Sequence, residues 1–559
     1  MSRSFSTSRV AALTVLTAAL GLPGAWTGVQ AVEASTAKPA AAWVMPEVSE
    51  AALRAHLALL ASDLFEGRGT GQRGGELTVA YLEAQAQVLG LKPVAGGPYR
   101  QAVKLLGART LAESSVLKVL GPEGRGAAGT FEFGRDWVFG AANGQPVNDI
   151  QAELVFAGYG VTAPEERWDD FKGVDVKGKV LVVLANDPQP TADEPGRFGG
   201  AAMTIYGRRG YKYEEALRRG ARGVLVLHTD ASAQSSWAVA SQGALGEQFQ
   251  LDRPGAGLAM QGWISEAAAS RLFAAAGQDL AALRAQAETR TFKPVPLGLA
   301  LQGEVRSAIR RIEQFNVAGV VPGTDPVLKE ELVIYSAHWD HLGSRVTPSG
   351  QTEIFNGAVD NASGTAALLA MAQQAVRQPA RRTQMFLWVC AEEQGLLGSG
   401  GYAQQPLWPL GRTAAALNLD TLNFVGQTLD IGASGAERSS LGETVKAVAA
   451  QMGLSVAPPR VDTGGFFFRS DHYSFAKAGV PAFSVSSGSQ YVDPSPERAA
   501  RRKGYGQRYH QTSDRYDPAW DLSGMRQQAQ FTLELGRAIA DAPSMPVWRE
   551  GDPFGAVKR

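Results

Sequence analysis

Between Glu331 and Thr365 the sequence reads ELVIYSAHWDHLGSRVTPSGQTEIFNGAVDNASGT. The apolar run 332–335 has the pattern of a buried strand and leads into His338, Asp340 and His341 within four residues. After a loop carrying Gly, Ser and Pro, Asp360 lies in GAVDNASG, ahead of an alanine- and leucine-rich helix. Imidazole and carboxylate at a strand end, with a second carboxylate at a helix start, are ligand types for a divalent metal of the zinc kind. Three later positions extend the set. The apolar run MFLWVC ends in Ala391-Glu392-Glu393, AAALNL ends in Asp420, and His510 sits in YHQTSD before the last helix. In open α/β sheets ligands bind beyond the carboxyl ends of the strands.

The elements that must position these groups alternate between residues 301 and 541. Strands are predicted at 316–321, 332–337, 383–390, 414–419 and 481–485, and helices at 363–376, 441–452 and 523–540. Such alternation predicts an α/β fold, a mixed, largely parallel sheet sandwiched by helices. Residues 49–90 read as two helices around FEGRGTGQRGGE. GRGTGQ resembles a phosphate loop only superficially, since it follows no strand and lacks the Gly-Lys-Ser/Thr ending, and it is expected to be a loop near the surface. From 105 to 300 short strand-like runs recur, at 154–156, 180–184 and 223–227, with a helix near 212–219. No dense cluster of His, Asp and Glu lies there, and His228, alone at a strand end, is expected to be structural.

At 559 residues the chain is too long for one ordinary core. It balances 54 basic against 54 acidic residues, so nothing argues for nucleic acid or an anionic membrane as main partner. Arg3 and Arg9, the apolar stretch 10–22 and Val29-Gln30-Ala31 predict a signal segment over 1–31 and a flexible mature start over 32–47. The expectation is an exported protein, periplasmic or extracellular, with no stable membrane insertion once the signal is removed. The one cysteine, Cys390, excludes an intramolecular disulfide and is expected to be a core residue.

In chain order, His-x-Asp, then Asp in VDNASG, Glu-Glu after an apolar strand, Asn-x-Asp, and Tyr-His near the end together resemble the co-catalytic di-zinc aminopeptidase family, which includes secreted bacterial aminopeptidases, glutamate carboxypeptidase and the transferrin receptor ectodomain. The stretches ELVFAGYGVTAPEERWDDFKGVDVKGKVLVVL and KYEEALRRGARGVLVLH resemble the protease-associated domain, a β-rich module inserted in several peptidases. The two resemblances imply a zinc exopeptidase fold with peptidase parts at 48–140 and 300–541, a β-rich protease-associated insert at 141–299 that serves as a lid or selecting wall, and a tail at 542–559. They imply two zinc ions per chain, with His338 and Asp420 on the first, Glu393 and His510 on the second, and Asp360 bridging both. Glu392 takes the place of the general base, and the peptide bond after Asp360 is expected to be cis.

The chemistry explains the residue types. Two zinc ions about 3.5–4 Å apart need a short bridging carboxylate, and a nearby carboxylate kept off the metal can take a proton from water and return it to a leaving amine. Asp340 suits a partner that orients the His338 imidazole. His341 is expected in the loop or behind the ligands, not among them. Tyr509 could donate to a tetrahedral intermediate or simply pack. In GGFFFRSDHYSF, 464–475, the phenylalanines could line a substrate pocket, and ERAARRK, 497–503, reads as a solvated loop. The function expected is hydrolysis of the N-terminal bond of peptide substrates. A receptor-like binding ectodomain and a single-zinc glutaminyl-cyclase-like transferase are the alternatives on the same fold. Oligomeric state is not legible in the sequence.

Overall fold

The computed structural model describes residues 47–559 except 122–125, 234, 254 and 256. The expected signal segment, 1–31, and nearly all of the expected mature start lie outside the described residues. The first helix, α1 (Glu50–Leu60), is capped by Ser49, whose Oγ accepts the Ala52 N–H, and it buries Leu53, Leu57 and Leu60 at helical spacing.

The elements that carry the candidate site follow from β1 (Arg100–Thr110) and the long β2 (Val295–Val321) through β3 (Leu332–His338), α2 (Ser363–Arg377), β4 (Thr383–Val389), β5 (Thr413–Leu419), β6 (Ala482–Ser487) and α3 (Ser523–Asp541). Their strands lie in the order β6-β5-β3-β4-β2. The three contacts among β6, β5, β3 and β4 are parallel, and β2 closes that run antiparallel to β4. Every residue of β3, β4 and β5 is buried, as a parallel sheet covered on both faces requires. On one face Ile334, Leu387 and Ala416 pack with Tyr402 and Phe475. On the other, the Trp388 indole donates to the Thr365 carbonyl of α2 at 3.2 Å and Gln384 Nε2 donates to the Tyr335 hydroxyl at 2.6 Å. Gly536 brings α3 against this face, because any Cβ there would sit 2.1 Å from the Tyr335 hydroxyl oxygen. The mixed, largely parallel sheet sandwiched by helices is thus the fold that the sequence pattern predicts.

β2 links this sheet to a second packing unit. Its last residues pair with β4, its middle pairs with β1 from Arg100↔Val317 to Thr110↔Ser307, and its first half pairs with the strands Val116–Leu120 and Val147–Phe156. The second unit continues through the parallel strands Val180–Leu184, Gly223–His228 and Met260–Ser265. The boundary read at 141 falls inside its packing: Leu117, Phe131 and Trp137 share one apolar cluster with Phe156, Leu225 and Leu272. Short strands with many turns conceal that partnership in the sequence, and the β1–β2 ribbon is where the chain passes between the two units.

Two loop expectations are corrected. Phe65, Gly67, Arg68, Gly69 and Thr70 of FEGRGTGQ are buried, with the Arg68 side chain wholly inaccessible. The segment around ERAARRK is a helix, Pro496–Arg508, begun by Ser495, whose Oγ accepts the Arg498 N–H, with Pro496 in the first turn. Among the described residues no helix is long and apolar enough to cross a membrane.

Candidate metal centre

Seven side chains from five separated stretches converge beyond the carboxyl ends of β3, β4 and β5. Asp360 is central. Its Oδ1 lies 3.3 Å from His338 Nε2, and its Oδ2 lies 3.2 Å from His510 Nε2. Asp420 Oδ1 is 3.4 Å from the same His338 nitrogen, and Glu393 Oε2 is 3.0 Å from the same His510 nitrogen. One carboxylate therefore faces two pockets of donors, the arrangement a bridging ligand needs. Two triads have donor atoms within 4.8 Å of one another: His338, Glu392 and Asp420 in one, His341, Asp360 and Glu393 in the other.

The backbone around Asp360 is shaped for this task. The Asp360–Asn361 bond is cis, as expected. Asn361 Oδ1 accepts the Gly364 N–H at 2.9 Å, and its Nδ2 donates to the Leu419 carbonyl at 3.0 Å, tying the start of α2 to the strand that carries Asp420. Thr365 Oγ1, one turn on, donates to the His338 carbonyl at 2.8 Å. Gly364 is required by this approach, since a Cβ would lie 2.4 Å from Asn361 Oδ1 and 2.5 Å from the Leu419 carbonyl oxygen. Ala391, Thr421 and His510 all have left-handed φ, at 52°, 53° and 60°, a strained state for non-glycine residues that concentrates at active sites.

The donor set fits a pair of cations. His338 Nε2, His510 Nε2, Glu393 Oε1 and Asp420 Oδ1 are buried without a hydrogen-bond partner, and so are both ring nitrogens of His341. Buried polar atoms left in this way point to a ligand. The electrostatics agree. Burial works against charge on His338, yet the nearby carboxylates of Asp420, Glu392 and Asp360 hold its pKa well above the ordinary value. His510 is likewise raised to about 10 against its burial, by Asp360 and Glu393. Asp360 stays well below the carboxylate range despite burial, because the imidazoles of His338, His510 and His341 lie beside it. The cluster calls for positive charge, and bound cations would supply it while leaving the imidazoles neutral for ligation.

Comparison with known proteins bears on the same stretch. Residues 316–534 match the model of Peptidase family M28. The matched segment begins in β2 and includes every residue named so far in the centre. Leucine aminopeptidase 1 of Penicillium rubens is 28% identical over 247 residues, 41% of this chain and 57% of that one. Leupeptin-inactivating enzyme 1 of Streptomyces exfoliatus is 28% identical over 205 residues, 36% of this chain and 41% of that one. The matches to these curated relatives thus span about half of the relatives' length. Among solved structures, an aminopeptidase from Aneurinibacillus sp. strain AM-1 is 19% identical with a TM-score of 0.46, covering 90% of this chain and 97% of that one. A zinc aminopeptidase from Bacillus subtilis is 17% identical with a TM-score of 0.43, covering 92% and 99%.

Within the matched segment several side chains differ in place from the sequence reading. His341 is 1% exposed, with Nδ1 2.6 Å from Glu393 Oε1 and 3.9 Å from Asp360 Oδ2, so it stands directly against the second donor pocket. Asp340 reaches His338 differently from the expected way. His338 Nδ1 meets the Asp340 main-chain carbonyl at 3.1 Å, and the Asp340 carboxylate accepts the N–H groups of Glu392 at 3.0 Å and Glu393 at 3.4 Å. It therefore fixes the turn that presents both glutamates. Burial pushes the Glu392 carboxyl well above its usual range, and Asp471, Asp420 and Glu393 add to this against the pull of His338, a suitable environment for a group that must take and return a proton. Ser470 Oγ donates to Asp420 Oδ2 at 2.7 Å and is itself held by Asn418 Nδ2 at 2.8 Å.

Two supporting residues were not singled out from the sequence. Asp514, in YHQTSD, accepts the N–H groups of Val359 and Asp360, each at 3.2 Å. Arg68 donates to the carbonyls of Trp339 at 2.8 Å, Leu60 at 2.8 Å, Asn356 at 2.6 Å and Gly357 at 2.8 Å. Burial lowers its pKa to about 10, opposed by the negative charge of Asp340, Asp360, Asp514 and Glu393. The loop 356–360 is therefore gripped by a buried cation on one side and a carboxylate on the other. The only trace of Asp514 in the sequence was its place four residues after His510, and Arg68 left none.

The centre opens into a cavity of about 1740 Å³. Glu392, Asp420 and Phe466 line it together with Met203, Ile205 and Arg208 of the second unit. Phe466 is 65% exposed, whereas Phe468 is buried and Phe467 packs against His472 and Phe554. Cys390 and His228 are buried, His228 edge-on to Trp237 and Trp263.

Proposed function

We propose that this protein is a di-zinc exopeptidase, an aminopeptidase that hydrolyses the N-terminal bond of peptides. The observation that carries the reading is Asp360 set between two donor pockets, with the two nitrogens His338 Nε2 and His510 Nε2 on opposite oxygens of one carboxylate. His338, Asp360, Asp420, Glu393 and His510 would hold the pair of ions. Bound there, zinc would polarise a peptide carbonyl and lower the pKa of water. Glu392 takes the proton of the attacking water and delivers it to the departing amine nitrogen. Asp340 keeps Glu392 and Glu393 turned toward their different tasks. The match to Peptidase family M28 and the aminopeptidase names of the relatives support this assignment.

Stripping the protein with a chelator is expected to abolish hydrolysis of aminoacyl chromogenic substrates, and adding zinc to restore it. Metal analysis should give about two zinc ions per chain. Activity that survives complete removal would defeat the reading. A count of one would favour the transferase alternative, and none a binding ectodomain.

The second packing unit is proposed as a protease-associated-type lid. Met203 N–H donates to the Asp462 carbonyl at 2.9 Å and Glu214 pairs with Lys477 at 2.7 Å, so it rests on the loop before Phe466 and on the helix His472–Lys477. Joining β1 to β2 by a short turn in place of 112–305 removes the unit at the ribbon. The shortened protein should retain zinc and cleave long peptides faster relative to dipeptides, by about tenfold or more. An unchanged ratio between long and short substrates would rule out the lid.

A further inference from the structure

Among the aromatic residues that line the cavity, Tyr509 stacks on the His510 ring at 3.9 Å between centroids and so packs against the metal centre. Phe466, Phe468, Tyr473 and Phe554 also line it, and their support comes from elsewhere. The segment matched to Peptidase family M28 ends at residue 534, so Phe554 belongs to the tail beyond it. That tail is tied to the peptidase part by its main chain and by Trp548. Ser440 N–H donates to the Val547 carbonyl at 2.8 Å, Arg549 N–H to the Arg438 carbonyl at 2.9 Å, and the Trp548 indole to the Gly479 carbonyl at 2.7 Å. Asp552 begins the short turn Pro553–Ala556 by accepting the Phe554 N–H at 3.0 Å. The Phe554 ring is buried against Trp548, Tyr473 and Phe467.

The contact with Phe467 reaches the site. The two rings lie 19° from parallel with centroids 6.1 Å apart. The Arg438 guanidinium lies over both, 4.8 Å from the Phe467 centroid and 4.6 Å from that of Phe554, where its charge is attracted to the two ring faces. Asp552 Oδ2 accepts from Arg438 Nε at 2.8 Å, so the tail also holds the cation in place. Phe467 sits in the turn Phe466–Phe468, where successive side chains point about 120° apart. The carboxylate of Asp462 accepts the N–H groups of Phe466 at 2.8 Å and Phe467 at 2.9 Å. With Phe467 turned to the tail, Phe466 is left exposed in the cavity, with the Arg469 guanidinium 5.1 Å over its ring. Four residues on, Ser470 holds Asp420, so the exposed ring and a metal-centre carboxylate belong to one short segment.

We propose that the C-terminal tail completes the substrate site: Phe554 is a positioning residue that, together with Arg438, fixes Phe467 and so sets where the Phe466 ring meets a large apolar side chain of the peptide. This deepens the exopeptidase reading and rests on it. A ring contact of this kind is made equally in the bound substrate and in the transition state, so it acts on KM and leaves kcat nearly unchanged. A tail that served the fold alone would reduce turnover of every substrate alike.

The test is Phe554→Ala, Arg438→Met and the double variant, each in the full zinc-loaded chain with its metal content measured, on dipeptides that carry Leu, Phe or Ala on either side of the cleaved bond. Phe554→Ala is expected to keep its zinc and to raise KM about tenfold for the Leu or Phe peptides of one series, with kcat within about threefold. The Ala peptides should change by less than about threefold. Arg438→Met keeps every ring and removes the guanidinium, so it should shift the same ratio in the same direction by about threefold. Because both residues act on one stack, the double variant should be no worse than Phe554→Ala. An unchanged ratio of large to small substrates in Phe554→Ala would overturn this inference alone, and so would an equal loss on all of them. If Phe554→Ala fails to fold, Arg438→Met decides, and an unchanged ratio there overturns the inference. A zinc-loaded wild-type protein that hydrolyses no peptide would overturn the exopeptidase reading and this inference with it.

Discussion

Glu392→Gln is expected to leave two zinc ions bound and to reduce kcat by about 10²–10⁴-fold, a barrier increase of about 3–5 kcal/mol. Gln preserves the shape and the main-chain bond from Glu392 N–H to Asp340, but it cannot accept the proton of water. Glu393→Gln should behave differently. Its carboxylate lies 2.6 Å from His341 Nδ1 and 3.0 Å from His510 Nε2, so the substitution should weaken binding of the ion in that pocket. Metal analysis beside kcat separates the two roles. If Glu392→Gln loses an ion and Glu393→Gln keeps both, the assignments are reversed.

Arg68→Met is expected to destabilise the protein by about 3–5 kcal/mol. The substitution leaves the carbonyls of Leu60, Trp339, Asn356 and Gly357 without their donor, and each buried acceptor left unpaired costs about 1–3 kcal/mol. It also removes a buried guanidinium whose charge is balanced by Asp340, Asp360, Asp514 and Glu393. Arg68→Lys should fall between, since an ammonium keeps the charge but cannot span four carbonyls in fixed directions. Urea unfolding of the zinc-loaded protein measures the loss. A change below about 1 kcal/mol for Arg68→Met would show that the loop 356–360 holds its shape without the guanidinium. A weaker zinc affinity in Arg68→Lys at nearly unchanged stability would tie the residue to the centre as well as to the fold.

These two predictions differ in how far the sequence anticipated them. Glu392 was legible because it follows an uninterrupted apolar strand, and the same signal exposed His338 and Asp420. A wholly buried parallel strand needs such a run, and its end marks the edge where ligands bind. Asp360 was legible from its place before a helix rich in small residues. The α/β alternation followed from the same local patterns, each contained within a short stretch of chain.

What depended on distant partners was decided only in three dimensions. Arg68 sits in a glycine-rich, charged stretch that resembles any exposed turn, and three of its four acceptors lie 271–289 residues away. Asp514 is one more acid in a polar loop until its oxygens meet the N–H groups of residues 359 and 360. His341 moved from the loop to the metal pocket because the cluster closes around it. Leu117, Val119, Phe131 and Trp137 joined the second unit through a cluster whose members reach to Val305. By itself the sequence determined which groups could bind metal and on which strands they stand, because periodicity and ligand type are local properties. The tertiary structure decided which charged residues are buried to support them, because burial and hydrogen bonding belong to contacts between segments far apart in the chain.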